Sequence, residues 1–501
     1  MWLCTSFTSR CVGIMTWRAC GLKRLWWRYP MFSKARVFSL VVLLWLFSSF
    51  LCPDNGFGLS IEEEEKLGKE FLSKVKKEFE FLDEPSVNCF LADLVEHLWT
   101  SEDNKPFNIK VYVIKKHDMN AFAGPGGHLF FFSGILEQLD SVDQVAGVVA
   151  HELAHVAFRH LSNRIAQSYK VGLASLGGML LGALLGGAPG EAVMAGSMAA
   201  GMQMQLSYSR EDERQADQLG LQYLHEAGFD PRELIDLHKN LQRYTQFAGN
   251  KIPPYLLTHP TGAERMANLD AMVQGIGPRK PSAYVEELRR EYPFIRTVVM
   301  ASVKDSEEAV RYFSELLEKK NKRPEYLLGL SIGLMAQGDA KEAQKALSEA
   351  IDLAPSVGLL RTFMARVLIS SGEPKRAVNY LKDVLDRTPD APEALYLLSE
   401  AYVDMGDEKT ALTYLQRLAH MEAAGGTGLF KPDIYYKMGT IFGRQGKLDL
   451  AHYNLGLFYL KEEEPQKARF HLNKALSITD DEKLKETIKE LLKQTNPGRK
   501  G

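Results

Sequence analysis

Hydrophobic and polar positions change rhythm several times along the chain, and each rhythm predicts a different element. Val37 to Leu51 is a 15-residue apolar stretch broken only by Ser39, Ser48 and Ser49, with Lys34 and Arg36 ahead of it. It is short for a membrane span and right for the apolar region of a signal peptide. Residues 59–105 read as helical, with Glu62–Glu65 and Lys74–Lys77 on a solvated face. Ile109–Ile114 reads as a strand. Asn120-Ala-Phe-Ala follows, then a turn at Gly124-Pro-Gly-Gly127 and a second strand at His128–Phe132. Ser133 is placed as N-cap of a short helix to Leu139, and Asp140 or Ser141 as cap of a helix Val142–His160. Val145, Val148, Val149 and Ala150 make that helix apolar and half buried. Two further apolar runs, Val171–Gly187 and Ala192–Leu206, read as a buried helical hairpin. A flap or a segment in contact with a bilayer surface is the other reading of 171–206.

From about residue 290 the rhythm becomes that of alanine-rich amphipathic helices. Gly338, Gly372 and Gly406 are spaced by 34, and each stands five residues before an alanine: Ala343, Ala377, Ala411. Ala309 lies 34 before Ala343, Gly446–Ala451 repeats the signal after a short insertion, and Ala468 and Ala475 fit a further unit. The pattern resembles the tetratricopeptide repeat, a helix–turn–helix unit of 34 residues. The glycine permits the tight turn, the alanine permits close helix approach, and stacked units form a concave binding surface. The chain is expected to be α+β and mostly α: a zincin-type domain with a small sheet, then an all-α repeat solenoid.

Composition sets the outer bounds. The 501 residues are 45 % hydrophobic and 25 % charged, enough for two or three globular domains. A net charge of −2 gives no electrostatic case for nucleic acid. Of five cysteines, Cys4, Cys11, Cys20 and Cys52 precede residue 59, which leaves Cys89 as a lone thiol. Met31 stands just ahead of the basic residues, so residues 1–30 read as an upstream mis-start. Gly56-Phe57-Gly58 offers small residues for cleavage before Leu59. An uncleaved anchor, or lipidation at Cys52, is a weaker reading. The expected layout is a mis-start plus signal peptide at 1–58, a metalloprotease domain at 59–285, repeats at 286–490 and a flexible tail at 491–501.

Chemistry concentrates in His151-Glu-Leu-Ala-His155. A helix brings residues i and i+4 to one face, so both imidazoles can reach one zinc ion while Glu152 lies beside it as a base for water. Catalytic zinc takes three protein ligands and an open position. Glu213 of Glu213-Arg-Gln-Ala-Asp217 is the best third ligand. Asp217, one turn on, is placed to fix a ligand histidine. Ala216 and Gly220 leave room against the metal helix. Glu211 is the rival, but Gln215 stands where its partner acid would be. His160, His128 and His225 are read as capping, packing or surface residues. Tyr208 is a minor candidate for substrate contact. The strand His128–Phe132 is read as either core or a substrate-holding strand.

The elements Asn120–Gly127, HELAH, ERQAD and Thr258-His259-Pro260 with Arg265 occur in an order that resembles the zinc metalloprotease family of HtpX and the CAAX prenyl proteases. With a signal peptide and C-terminal repeats, the chain is most similar to the periplasmic, BepA-like branch of that family. The resemblance covers residues 59 to about 480. It implies one Zn2+ per chain on His151, His155 and Glu213, Glu152 as general base, and His259 as a removable fourth ligand. His259 or Arg265 is expected to hydrogen-bond the oxyanion. It further implies a periplasmic endopeptidase for misassembled or unfolded outer-membrane proteins, with the repeats on the β-barrel assembly machinery. The alternative is a latent protease acting mainly as a repeat-based chaperone or adaptor.

Overall fold

The computed structural model describes residues 59–99, 105–167, 208–247, 253–277, 279–319, 322–423, 431–462 and 464–495, all within one compact unit, Phe57–Gly501. The expected signal peptide, the apolar runs of 171–206 and the last residues of the tail lie outside the described residues.

The first domain begins with α1 (Ile61–Glu78), started by a capping box in which Ser60 and Glu63 satisfy each other's backbone N–H. Next comes α2 (Pro85–Leu98), whose N-terminus is capped by the Glu84 carboxylate. Three short strands follow: β1 (Lys110–Ile114), β2 (Ala121–Gly124) and β3 (His128–Phe132). Their order is β1-β3-β2, with β1 parallel and β2 antiparallel to β3. Two sequence expectations change here. Ala121–Ala123, given no element from the sequence, form a strand that also takes in Gly124, the first residue of the expected turn. Furthermore, His128–Phe132 is the central strand, so both of its rows of backbone groups are spent within the sheet and it cannot accept an added strand. The edge beside the metal helix belongs to β2. Every residue of β2 and β3 is buried, which removes the alternation that marks a half-exposed strand.

Helix α3 (Ser133–Gln138) is preceded by Phe132 rather than capped by Ser133, whose hydroxyl donates to the Lys116 carbonyl at 3.0 Å. Helix α4 (Val142–Ala157) is capped by Ser141, which accepts from Gln144 N–H. It stops three residues short of the expected end. Arg159 turns the chain at φ 52, and His160 opens a new helix, α5 (His160–Gln167). The domain continues through α6 (Arg210–Ala227), α7 (Arg232–Phe247), α8 (Pro254–Thr258) and α9 (Ala263–Gly275).

Helix α10 (Ala283–Ser302) then leads into paired helices. These are α11 (Ser306–Lys319), α12 (Pro324–Ala336), α13 (Ala340–Leu353), α14 (Gly358–Ser370), α15 (Pro374–Arg387), α16 (Pro392–Asp404), α17 (Glu408–Ala423), α18 (Lys431–Arg444), α19 (Leu448–Lys461), α20 (Pro465–Ile478) and α21 (Glu482–Gln494). Gly338, Gly372, Gly406 and Gly446 sit at the turns with φ 84, 75, 79 and 74. A Cβ at any of them would meet nothing within 4 Å, so the turn demands glycine for its left-handed backbone and not for space. Ala309, Ala343, Ala377, Ala411 and Ala451 are all buried between helices.

The first domain and the repeats share one continuous apolar core reaching Ala401. Helix α10 spans residues 285 and 286 and serves both sides. Tyr292 Oη donates to the Leu139 carbonyl at 2.9 Å, and Arg289 grips Asp143 of α4 at 2.7 and 2.9 Å. Arg366 of α14 joins Glu84 at the start of α2 to Glu393 of α16. Among the described residues no helix is long and apolar enough to cross a membrane.

Candidate metal centre

Helix α4 is buried along nearly its whole length, with His151, Glu152 and His155 at 0, 0 and 1 % exposure. Helix α6 packs on it closely because Gly220 carries no Cβ; one added there would stand 3.3 Å from the His151 backbone nitrogen. That approach delivers Glu213 to the histidines. His259, at the C-terminal end of α8, arrives from the opposite direction.

Four ligand atoms converge. His151 Nε2 lies 3.1 Å from His155 Nε2 and 3.2 Å from His259 Nδ1. Glu213 Oε1 is 2.9 Å from His259 Nδ1 and 3.8 Å from His155 Nε2, and Glu213 Oε2 is 3.4 Å from His151 Nε2. All four groups lie within 4.8 Å of one another. Tetrahedral zinc with ligands at about 2.0–2.1 Å sets its ligand atoms about 3.3–3.4 Å apart. The cluster brackets that spacing. Its chemistry agrees: facing imidazole nitrogens cannot all donate to one another, and a cation between them uses their lone pairs together. The buried three-histidine, one-glutamate group therefore fits a zinc site.

The surrounding residues orient these ligands. Asp217 Oδ1 lies 3.1 Å from His151 Nδ1, leaving Nε2 for the cluster. Arg265 clamps both acids, with Nη1 at 2.5 Å from Glu213 Oε2 and with Nε and Nη2 each 2.7 Å from Asp217 oxygens. Burial opposes ionisation of Asp217, yet His151 and Arg265 hold its carboxyl below the ordinary aspartate range. Burial likewise opposes ionisation of Glu213, and His259 and Arg265 outweigh it. Glu152 differs: burial raises its carboxyl above the usual value, with His259 and His151 pulling the other way. Neither of its oxygens has an aligned donor; His259 Nε2 at 3.3 Å is its charge partner. A carboxyl whose proton affinity is raised by burial beside the metal position suits a base.

Three neighbours exceed their sequence reading. The Tyr208 ring stacks on His155 with centroids 3.8 Å apart, and Tyr255 stacks on His259 at 4.6 Å. His160 is buried and its Nδ1 lies 2.9 Å from His155 Nδ1. Tyr255 carried no sequence signal beyond its place four residues before His259. His128, in contrast, packs against Tyr112 within the sheet, as a packing residue should. A cavity of about 640 Å³ opens against Tyr208, Glu213, Asp217, Arg265, Asn268 and Met272. Asp217→Asn is expected to weaken zinc binding about 10–100-fold, read by chelator competition, because the amide cannot accept from His151 as a carboxylate does. An unchanged zinc constant removes Asp217 from the site.

The comparison with known proteins turns on this geometry. Residues 84–273, which hold His151, Glu152, His155, Glu213 and His259, match peptidase family M48. The chain carries an M48 peptidase domain. Residues 368–424 and 450–482 of the same chain match tetratricopeptide repeats. The putative beta-barrel assembly-enhancing protease of Vibrio cholerae is 28 % identical over 270 residues, 53 % of this chain and 54 % of that protein. The beta-barrel assembly-enhancing protease of Escherichia coli is 27 % identical over 43 % of this chain and 46 % of its own length. The mitochondrial metalloendopeptidase OMA1 of Danio rerio is 30 % identical over 32 % of this chain and 35 % of its own. The chain thus spans about half the length of the first curated relatives it matches. The matched region contains the HExxH helix and the buried group of His151, His155, Glu213 and His259.

Proposed function

We propose that this M48 protein is a periplasmic, zinc-dependent endopeptidase that cleaves misassembled or unfolded outer-membrane proteins. The observation that carries the reading is the buried convergence of His151, His155, Glu213 and His259 beside the carboxylate of Glu152. One bound zinc ion supplies Lewis acidity and a water of lowered pKa. Glu152 takes the proton from the attacking water and later returns it to the departing amine. Arg265 acts through Glu213 and Asp217, holding both carboxylates in place. The names of the curated relatives support β-barrel outer-membrane proteins as clients, and the repeats support a protein partner such as the β-barrel assembly machinery. Purified protein from Leu59 onward is expected to cleave an unfolded outer-membrane β-barrel protein, to stop with a zinc chelator and to recover with added zinc. Chelator-resistant cleavage, or none at all with zinc bound, defeats the reading.

A second reading, a latent protease working mainly as an assembly adaptor, is favoured by one contact. His259 Nδ1 stands 3.2 Å from His151 Nε2 and 2.9 Å from Glu213, so it would serve as a fourth ligand to a zinc ion held there. His259→Ala is expected to increase cleavage of a generic unfolded substrate such as casein by about tenfold, the order of one displaced ligand bond. Equal or lower activity in that variant counts against a fourth-ligand block.

A further inference from the structure

The second ligand histidine has its own support, built from residues the zinc reading leaves aside. We propose that His160 and Gln215 are positioning residues that fix the tautomer and orientation of His155 through a one-way hydrogen-bond chain ending at Glu211. The proposal rests on the zinc site proposed above. His155 Nε2 faces the ligand cluster, and a ligating nitrogen carries no proton. Neutral His155 therefore holds its proton on Nδ1, which lies 2.9 Å from His160 Nδ1. His160 must accept there, so its own proton sits on Nε2, 3.2 Å from Gln215 Oε1. Gln215 Nε2 then donates to Glu211 Oε1 at 2.8 Å, and Arg214 holds Glu211 from Nε and Nη2 at 2.9 and 2.6 Å. Asp212 Oδ1, 3.8 Å from His160 Nε2, is the other acid nearby.

Every donor meets an acceptor in one direction only. Reversing the first bond would put the His155 proton on Nε2, inside the ligand cluster. Flipping the Gln215 amide would set its NH2 against the His160 N–H and its carbonyl against the Glu211 carboxylate. Helix α6 thus supports both metal-helix histidines with two i, i+4 pairs that lie about 160° apart around its axis. Glu213 and Asp217 serve His151, while Glu211 and Gln215 serve His155 through His160.

The break after α4 makes this possible. On a continuous helix, residue i+5 lies about 140° around the axis from residue i, which would carry His160 away from His155. Arg159 at φ 52 turns it back. A non-glycine residue in that region is held by its surroundings. Here Arg159 Nη2 reaches Glu64 at 2.7 Å and the Leu59 carbonyl at 2.5 Å, so the start of α1 pins the turn that places His160.

The test measures zinc dissociation constants of the full chain by chelator competition, with the melting temperature of each zinc-free protein alongside. His160→Ala is expected to weaken zinc about 10–100-fold, and Gln215→Ala by a smaller factor. His160→Asn, whose Oδ1 can accept where Nδ1 stood, is expected to recover binding to within about threefold of wild type. The zinc-free melting temperatures should match. A zinc constant for His160→Ala near wild type overturns the proposal, as does equal weakening in His160→Asn with a fall in zinc-free stability. Failure of the wild-type protein to bind zinc overturns this and the peptidase reading together. Tight wild-type binding with an unaffected His160→Ala overturns only this one.

Discussion

Glu152→Gln is expected to leave zinc bound and to lower cleavage of an unfolded polypeptide by about 10²–10⁴-fold, the range a positioned general base contributes. The substitution is close to isosteric, and the site makes it a clean one. Glu152 is fully buried, its oxygens meet no aligned donor, and it does not belong to the group of converging ligand atoms. A glutamine there can still sit 3.3 Å from His259 Nε2, but it cannot receive a proton. The measurement is turnover at saturating substrate, with metal content by elemental analysis on the same sample. Activity within about tenfold of wild type would sink the general-base role. Loss of zinc in the variant would instead make Glu152 part of the ligand architecture.

Arg366→Met should lower stability by about 3 kcal/mol, toward the range for breaking a buried ion pair and below its upper end because the groups keep some solvent access. Arg366 donates to Glu84 at 2.7 and 3.1 Å and to Glu393 at 2.6 Å, and its guanidinium lies over Phe363. Burial pushes the Glu393 carboxyl up and Arg366 restrains it, so removing the cation leaves two acids facing each other where the peptidase domain meets the repeats. A melting temperature lowered by about 3 °C follows for two halves that unfold together, from an unfolding entropy of about 2 cal/mol/K per residue. Adding Glu84→Gln and Glu393→Gln to Arg366→Met should restore much of the loss. A single variant that melts with wild type would show that the apolar core alone joins the domains.

The parts of this molecule that were legible in sequence are those governed by local rules. The HExxH spacing places two imidazoles on one face through helix geometry alone. The repeat glycines announce left-handed turns, and Gly338, Gly372, Gly406 and Gly446 all adopt them. Gly220 signalled close approach of α6 to the metal helix, and the contact is there. What escaped was set by distant contacts. Strand β2 is buried on both faces, so Ala121–Gly124 shows no alternation and does not read as a strand. The end of α4 carries neither glycine nor proline; its turn is made by Arg159, held by Glu64 and the Leu59 carbonyl some 95 and 100 residues away. With that break invisible, His160 reads as a capping, packing or surface residue, and its approach to His155 does not show.

Helix α10 gives the molecule a mechanical property. The two halves meet through one shared helix rather than a linker, and that rod grips Asp143 and the Leu139 carbonyl at the entrance to α4. A partner seated on the repeats therefore pulls on a lever whose short arm ends one helix length from the histidines. Exchanging one repeat array for another keeps the catalytic half intact only if the rod travels with it.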